Sequence, residues 1–345
     1  MYEKFYGFKE KPFNTTPDSR FFFPSPKHSE ALNSLIYAIN ERKGFVVITG
    51  EIGAGKTTVC RTLISKIDAN TKIALITNTH LTPKELIATI LDDLEVDYKQ
   101  GGKAKLLAQL NGYLITQLAQ NCNVVLIIDE AQNLTPKVLE EVRMLSNLET
   151  ETEKLIQIIL MGQPQLKKKL EMPELLQFRQ RVAVHYHLYP LDEEETQGYI
   201  QHRLSLVSND GKNIFSKDAL NAIYLFSKGV PRVINLICDS ALLTGFINES
   251  REINEGIIRE VVSESRFDKK IVDKKETFFV EPKQEDTKTA SDNKIHCCAK
   301  CQDYDSCETK WFHAVEGKEN LCCPKCEYYQ ECLEENTNKH ELHTN

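Results

Sequence analysis

The chain has 345 residues, of which 41% are hydrophobic and 27% charged, a composition that excludes wholesale disorder and fits two domains with an appendage. Its 43 Lys+Arg against 50 Asp+Glu give a net charge of −7, which excludes a broadly basic nucleic-acid-coating surface and leaves only a local basic patch open. No unbroken apolar run exceeds five residues, the length of Val124–Ile128, far short of the roughly 18–20 residues that span a bilayer. The opening Met1-Tyr2-Glu3-Lys4-Phe5 starts no apolar leader, so no membrane span and a cytoplasmic location are expected.

Eight aromatic residues crowd the first 23 positions: Tyr2, Phe5, Tyr6, Phe8, Phe13, Phe21, Phe22 and Phe23. They are expected to pack against a sheet edge, with an adenine-pocket or subunit-docking role as the alternative. Short β-branched runs then predict strands over 45–49, 73–77, 124–129, 155–161 and 182–188. Helical patterns over 56–67, 83–94, 103–119, 136–148 and 164–170 separate them. Such alternation implies an α/β fold, a mostly parallel sheet with helices on both faces. After Pro190 the strands stop, and 193–206, 217–226, 231–247 and 254–263 read as an all-helical unit, with Asp192 and Ser216 placed to cap two of its helices. The expected organisation is a core over 1–190, a helical lid over 191–266, a charged linker over 267–293 and a cysteine-rich module over 294–345.

The segment Gly50-Glu51-Ile52-Gly53-Ala54-Gly55-Lys56-Thr57 fits G-x-x-x-x-G-K-[ST], between a predicted strand and a predicted helix. Backbone N–H groups of Gly50, Glu51, Ile52, Gly53, Ala54, Gly55, Lys56, Thr57 and Thr58 would cradle the phosphates of ATP at a helix N-terminus. Lys56 would reach the β- and γ-phosphates, and the Thr57 hydroxyl would ligate Mg²⁺. Val124–Ile128 delivers Asp129 and Glu130 at the C-terminal edge of the sheet, where ligands of open α/β sheets bind. Asp129 is placed to hold Mg²⁺ and Glu130 to deprotonate the attacking water. Gln163, after the fourth strand, is the candidate γ-phosphate sensor, although a turn residue ahead of Pro164 would look the same. Arg179 and Arg181 precede the fifth strand; either fits an arginine finger for a neighbouring subunit's nucleotide, and each also fits a surface salt bridge.

Several strings resemble a known family, the AAA+ ATPases of the general secretion pathway protein A (ExeA) type. They are Met1–Phe8, Pro12-Phe13, Thr16-Pro17-Asp18, His28–Leu32, Gly44–Gly50, Asp129-Glu130-Ala131-Gln132, Leu145–Thr150, Gly162-Gln163-Pro164 and Gly229–Asn235. The resemblance runs from residue 1 to about 266 and is shared with exopolysaccharide-export ATPases and, more distantly, with ATPases that assist transposition. It implies a five-stranded P-loop AAA+ core followed by a helical lid, a homo-oligomeric ring or partial ring, and Arg232 as the lid arginine reaching the γ-phosphate. Family members that serve secretion continue into a transmembrane helix and a peptidoglycan-binding domain. This sequence continues instead into cysteines.

Eight of its 11 cysteines lie in the last fifty residues. Cys297-Cys298-x-Lys-Cys301-x₅-Cys307 repeats as Cys322-Cys323-x-Lys-Cys326-x₅-Cys332. C-x₂-C pairs present two thiolates to one metal, so a Zn²⁺-stapled module is expected, with an Fe–S cluster as the rival and disulfides disfavoured in a reducing compartment. Spacing leaves open whether each repeat closes its own site or the repeats share two. The leading functional reading is an oligomeric ATPase that remodels a partner of a secretion or export apparatus. The alternative is a DNA-associated ATP switch of the transposition-helper kind with a zinc tail, which the negative charge disfavours.

Overall fold

The computed structural model describes residues 1–151, 153–208 and 213–264. The chain divides into two units, Met1–Asp273 and Lys274–Asn345, and every described residue belongs to the first. The linker expected over 267–293 and the module over 294–345, with its eight cysteines, lie outside the described residues.

Two helices, α1 (Tyr2–Tyr6) and α2 (Pro26–Asn40), lead into β1 (Phe45–Gly50) and α3 (Lys56–Lys66). Next come β2 (Thr71–Ile76), α4 (Pro83–Asp93), α5 (Lys103–Ala119), β3 (Asn123–Ile128) and α6 (Pro136–Leu145). The sheet is completed by β4 (Gln157–Gly162), α7 (Pro164–Leu170), α8 (Leu176–Arg179) and β5 (Val182–Leu188). The strands are all parallel in the order β2-β3-β4-β1-β5. Period-two alternation sorts their side chains. Phe45, Val47, Leu126, Ile128, Ile158 and Leu160 meet α4 and α5 on one face. Val46, Ile48, Val125, Ile127, Ile159 and Met161 meet α2 and α3 on the other. With both faces covered, these strands read as unbroken apolar runs rather than as alternating ones. Each fully buried Leu or Ile contributes about 1.5–3 kcal/mol.

The observed ends differ from the sequence expectation by up to three residues, the largest shift being α6, which stops at Leu145. Thr82 and Glu85 form a reciprocal capping box on α4, and Ser25 and Thr135 cap α2 and α6; losing such a cap costs about 1 kcal/mol. The lid consists of α9 (Glu193–Val207), α10 (Lys217–Ser227), α11 (Pro231–Ile247) and α12 (Glu255–Glu264). Asp192 and Ser216 cap α9 and α10 as expected. No described helix is long and apolar enough to cross a membrane.

The N-terminal aromatics correct one expectation. Tyr2, Phe8, Phe13 and Phe21 are buried in the core of the lid, not at the edge of the sheet. Phe13 stands edge-to-face on Phe215 at 6.1 Å, and the Tyr2 hydroxyl donates to Asp239. Arg203 from α9 reaches across to the N-terminal strap over 12–23, its Nε donating to the Pro12 carbonyl at 2.6 Å and its guanidinium lying 4.6 Å over the Phe21 ring. The physical reason is size. Four short helices bury too little surface by themselves, and the borrowed rings enlarge their core.

Candidate active site

The loop between β1 and α3 is held from three sides. From below, the β1 ladder carries it. From the lid, the Arg232 N–H donates to the Gly53 carbonyl at 3.2 Å, an approach so close that a Cβ on Gly53 would lie 2.6 Å from the Arg232 Cβ. From α2, His28 Nε2 meets the Ala54 carbonyl at 3.0 Å and Nδ1 meets Ser25 Oγ at 2.9 Å. A carbonyl only accepts, so Nε2 carries the proton and Nδ1 accepts from Ser25. Burial holds the His28 pKa below its ordinary value, in keeping with a neutral ring.

Lys56 is 6% exposed. Its Nζ donates to the Gly50 and Glu51 carbonyls at 2.7 and 3.0 Å. Burial pulls its pKa down, while the carboxylates of Glu130, Asp129 and Glu51 oppose that shift. The Thr57 hydroxyl donates to Asp129 Oδ2 at 3.2 Å. Two hard oxygen donors therefore face one another beside the phosphate loop, a donor set that fits Mg²⁺.

Asp129 follows β3 and extends its ladder, its N–H donating to the Ile76 carbonyl at 2.9 Å. Glu130 then turns into the left-handed region at φ +51°, lifting its carboxylate out of the strand direction. Its Oε2 accepts from Gln163 Nε2 at 3.2 Å and from Gln132 Nε2 at 2.5 Å. Glu130, Lys56, Thr57 and Arg232 line one cleft of about 320 Å³, whose far wall is the strap over 14–18 and Phe21, Phe22 and Phe23. The loop residues Ile52, Gly53, Gly55 and Thr58 line it as well.

Arg179 and Arg181 lie outside this cleft, exposed ahead of β5. Arg181 Nη1 touches Ser146 Oγ at 3.5 Å. Among the described residues Arg179 has no hydrogen-bond or ion-pair partner, and the same holds for the Arg232 side chain.

In the sequence His28 and Gln132 stand out only as parts of family strings, and neither carries a role there. The Ser25-Pro26 pair signals a helix start that would place His28 in the first turn. Its partner Ala54 is 26 residues away in sequence, and no local pattern marks that contact.

An AAA-domain family model matches residues 39–170. General secretion pathway protein A of Aeromonas hydrophila is 42% identical over 259 residues, covering 75% of this chain and 47% of that protein; the chain thus spans about half the length of that relative. Among solved structures, the ORC2 protein of Aeropyrum pernix superposes with a TM-score of 0.56 at 15% identity, covering 75% of this chain and 72% of the other. Cdc6p of Pyrobaculum aerophilum superposes with 0.56 at 19% identity, covering 72% and 71%. At those identities the two structures speak for the fold alone. The family implies ATP and Mg²⁺ as ligands of the loop. With the phosphate loop, the Asp129-Glu130 edge and the helical unit in this arrangement, the chain carries an AAA domain and is a P-loop ATPase, similar over its matched part to general secretion pathway protein A.

Proposed function

We propose that the chain is a homo-oligomeric motor that couples ATP turnover to assembling or remodelling a secretion- or export-type protein machine. The observation that carries the catalytic part is the meeting of Lys56, Thr57, Asp129, Glu130 and Gln163 at one sheet edge. The relative's name supports the process.

In this reading the loop N–H groups from Gly50 to Thr58 hold the phosphates, and Lys56 exchanges its two carbonyl partners for phosphate oxygens. Thr57 and Asp129 would hold Mg²⁺, which would supply charge neutralisation at the phosphates. Glu130 takes the proton from water as its oxygen bonds to the γ-phosphorus and the bond to ADP breaks. Gln163, bonded to Glu130 at 3.2 Å, would report through that carboxylate whether the γ-phosphate is there. Arg232 supplies a cation from the lid, so that phosphate loss releases the lid from the loop.

Of the two finger candidates the geometry favours Arg179, which is exposed and unpaired, over Arg181, which rests on Ser146. Arg179→Ala is expected to lower kcat on the order of 10³-fold, the range typical of arginine fingers, and Arg181→Ala by far less. Mixing Arg179→Ala with Lys56→Ala subunits tests the reading, because each variant supplies what the other lacks at a shared interface. Recovered activity in the mixture supports a ring or partial ring; additive inactivity, or a specific activity independent of protein concentration, counts against it.

The cysteine tail we read as a zinc staple, on the repeated thiolate pairs alone. Metal analysis of the anaerobically purified chain is expected to find zinc with no visible absorption band. A brown protein would replace zinc by an Fe–S cluster.

A further inference from the structure

The proton acceptor Glu130 stands on an unusual piece of backbone. Its φ of +51° is left-handed, and a long flexible side chain leaves from that point. Nothing in such a backbone aims the carboxylate, so the aim must come from what the oxygens touch. One neighbour is Gln163, at 3.2 Å. The other, closer one is Gln132, whose Nε2 lies 2.5 Å from Glu130 Oε2.

The orientation of the Gln132 amide is fixed by its other end. Its Oε1 faces the backbone N–H of Gln163 at 2.9 Å. An N–H needs an acceptor, so the oxygen belongs there and the NH₂ group points at Glu130. Space for this bridge exists because residue 162 has no side chain: a Cβ on Gly162 would stand 2.7 Å from Gln132 Oε1. The short turn Ala131–Asn133 that carries Gln132 is clamped in its turn by Lys169 of α7, whose Nζ donates to the Gln132 carbonyl and, at 2.8 Å, to the Leu134 carbonyl. A single side chain thus ties the end of β4 to the Glu130 carboxylate.

We propose that Gln132 is a positioning residue for hydrolysis. It holds Oε2 of Glu130 by a direct hydrogen bond and leaves Oε1 to face the attacking water. It touches neither ATP nor the reacting atoms, and it links Glu130 to the strand end that carries Gln163. The inference rests on the reading of Glu130 as the base.

The full-length chain is compared as parent, Gln132→Ala, Gln132→Glu, Glu130→Gln and Glu130→Gln/Gln132→Ala. Steady-state and single-turnover hydrolysis give the rates, and binding of a fluorescent ATP analogue gives the affinity. Gln132→Ala is expected to lower kcat at least tenfold with nucleotide Kd within twofold of the parent, the split that marks an interaction made only on the way to the transition state. Gln132→Glu keeps the shape, loses the donor and sets a like charge against Glu130, so it should fall at least as far; it carries the test if the alanine variant fails to fold. In the Glu130→Gln background the second change should cost less than twofold, because Gln132 acts only through Glu130. A parent-like kcat in Gln132→Ala, or an equal loss in the Glu130→Gln background, overturns the proposal. Parent-rate turnover by Glu130→Gln itself overturns the base assignment, and the proposal with it.

Discussion

Glu130→Gln is expected to bind ATP with parent affinity and to hydrolyse it roughly 10²–10⁴-fold more slowly, the usual worth of a positioned general base. The amide keeps the size of the carboxylate but cannot take the proton from water. Binding should survive because the groups proposed to hold the phosphates are elsewhere: Lys56 bonds to the Gly50 and Glu51 carbonyls and Thr57 to Asp129, while the Glu130 carboxylate bonds to Gln132 and Gln163. Lys56→Ala gives the opposite pattern. Its ammonium is buried at the loop's own carbonyls, poised to pass to phosphate oxygens, and removing it should weaken nucleotide binding itself by at least about tenfold, as loss of a charge-assisted contact does. Fluorescent-nucleotide titration beside phosphate-release kinetics separates the two. If Glu130→Gln turned over at the parent rate, the proton would have to go elsewhere and the catalytic assignment would fail.

The contrast between these two variants is legible in the sequence, because both residues sit in patterns whose spacing is itself the chemistry. Glycines, a lysine and a threonine between a strand and a helix admit few other folds, and an acidic pair after five consecutive apolar residues marks the C-terminal edge of a buried strand. The strands are legible for the same reason: in a sheet covered on both faces the internal ones are apolar along their length.

Whatever distant partners decide does not show in the sequence. The eight N-terminal aromatics announce burial but not its place, since Tyr2 finds Asp239 and Phe13 finds Phe215 some two hundred residues on. Helix α2 has no place among the helical patterns, although Ser25 caps it and Pro26 opens it. Its residue His28 supports the phosphate loop through a contact that no periodicity encodes. Gln132 is visible as a letter of a motif, while the bond that gives it a role depends on the empty space at Gly162.

Gly229 is a further letter of that kind, and its replacement is expected to do the largest damage to stability. It sits at φ +71° directly after Lys228, itself left-handed at φ +51°, where the chain leaves α10 and prepares to enter α11. An alanine there meets two separate obstacles. The backbone conformation disfavours any L side chain, at a cost of about 1–3 kcal/mol. The new Cβ would also stand 1.7 Å from the Leu191 carbonyl oxygen, with the Leu191 carbonyl carbon and nitrogen next nearest at 2.7 and 3.0 Å. All three are backbone atoms, so no side chain can swing aside. The segment must move, and with it goes the bond from the Leu191 N–H to the Gly229 carbonyl at 2.9 Å. Together these should cost at least about 3 kcal/mol, lowering Tm by roughly 6–12 °C for a module of this size.

The loss reaches the active site, because Leu191 begins the lid and Arg232 stands three residues beyond Gly229, hydrogen-bonded to Gly53 of the phosphate loop. Gly229→Ala should therefore lower hydrolysis even below its melting temperature. Gly112→Ala is the control: it lies exposed within α5 with nothing within 4 Å of an added Cβ, and should be stabilising by up to about 1 kcal/mol. Thermal melts and ATPase rates of the two variants decide it. Equal melting temperatures would mean that Leu191 and Gly229 separate freely, and that this contact does not hold the start of the lid to the turn between α10 and α11.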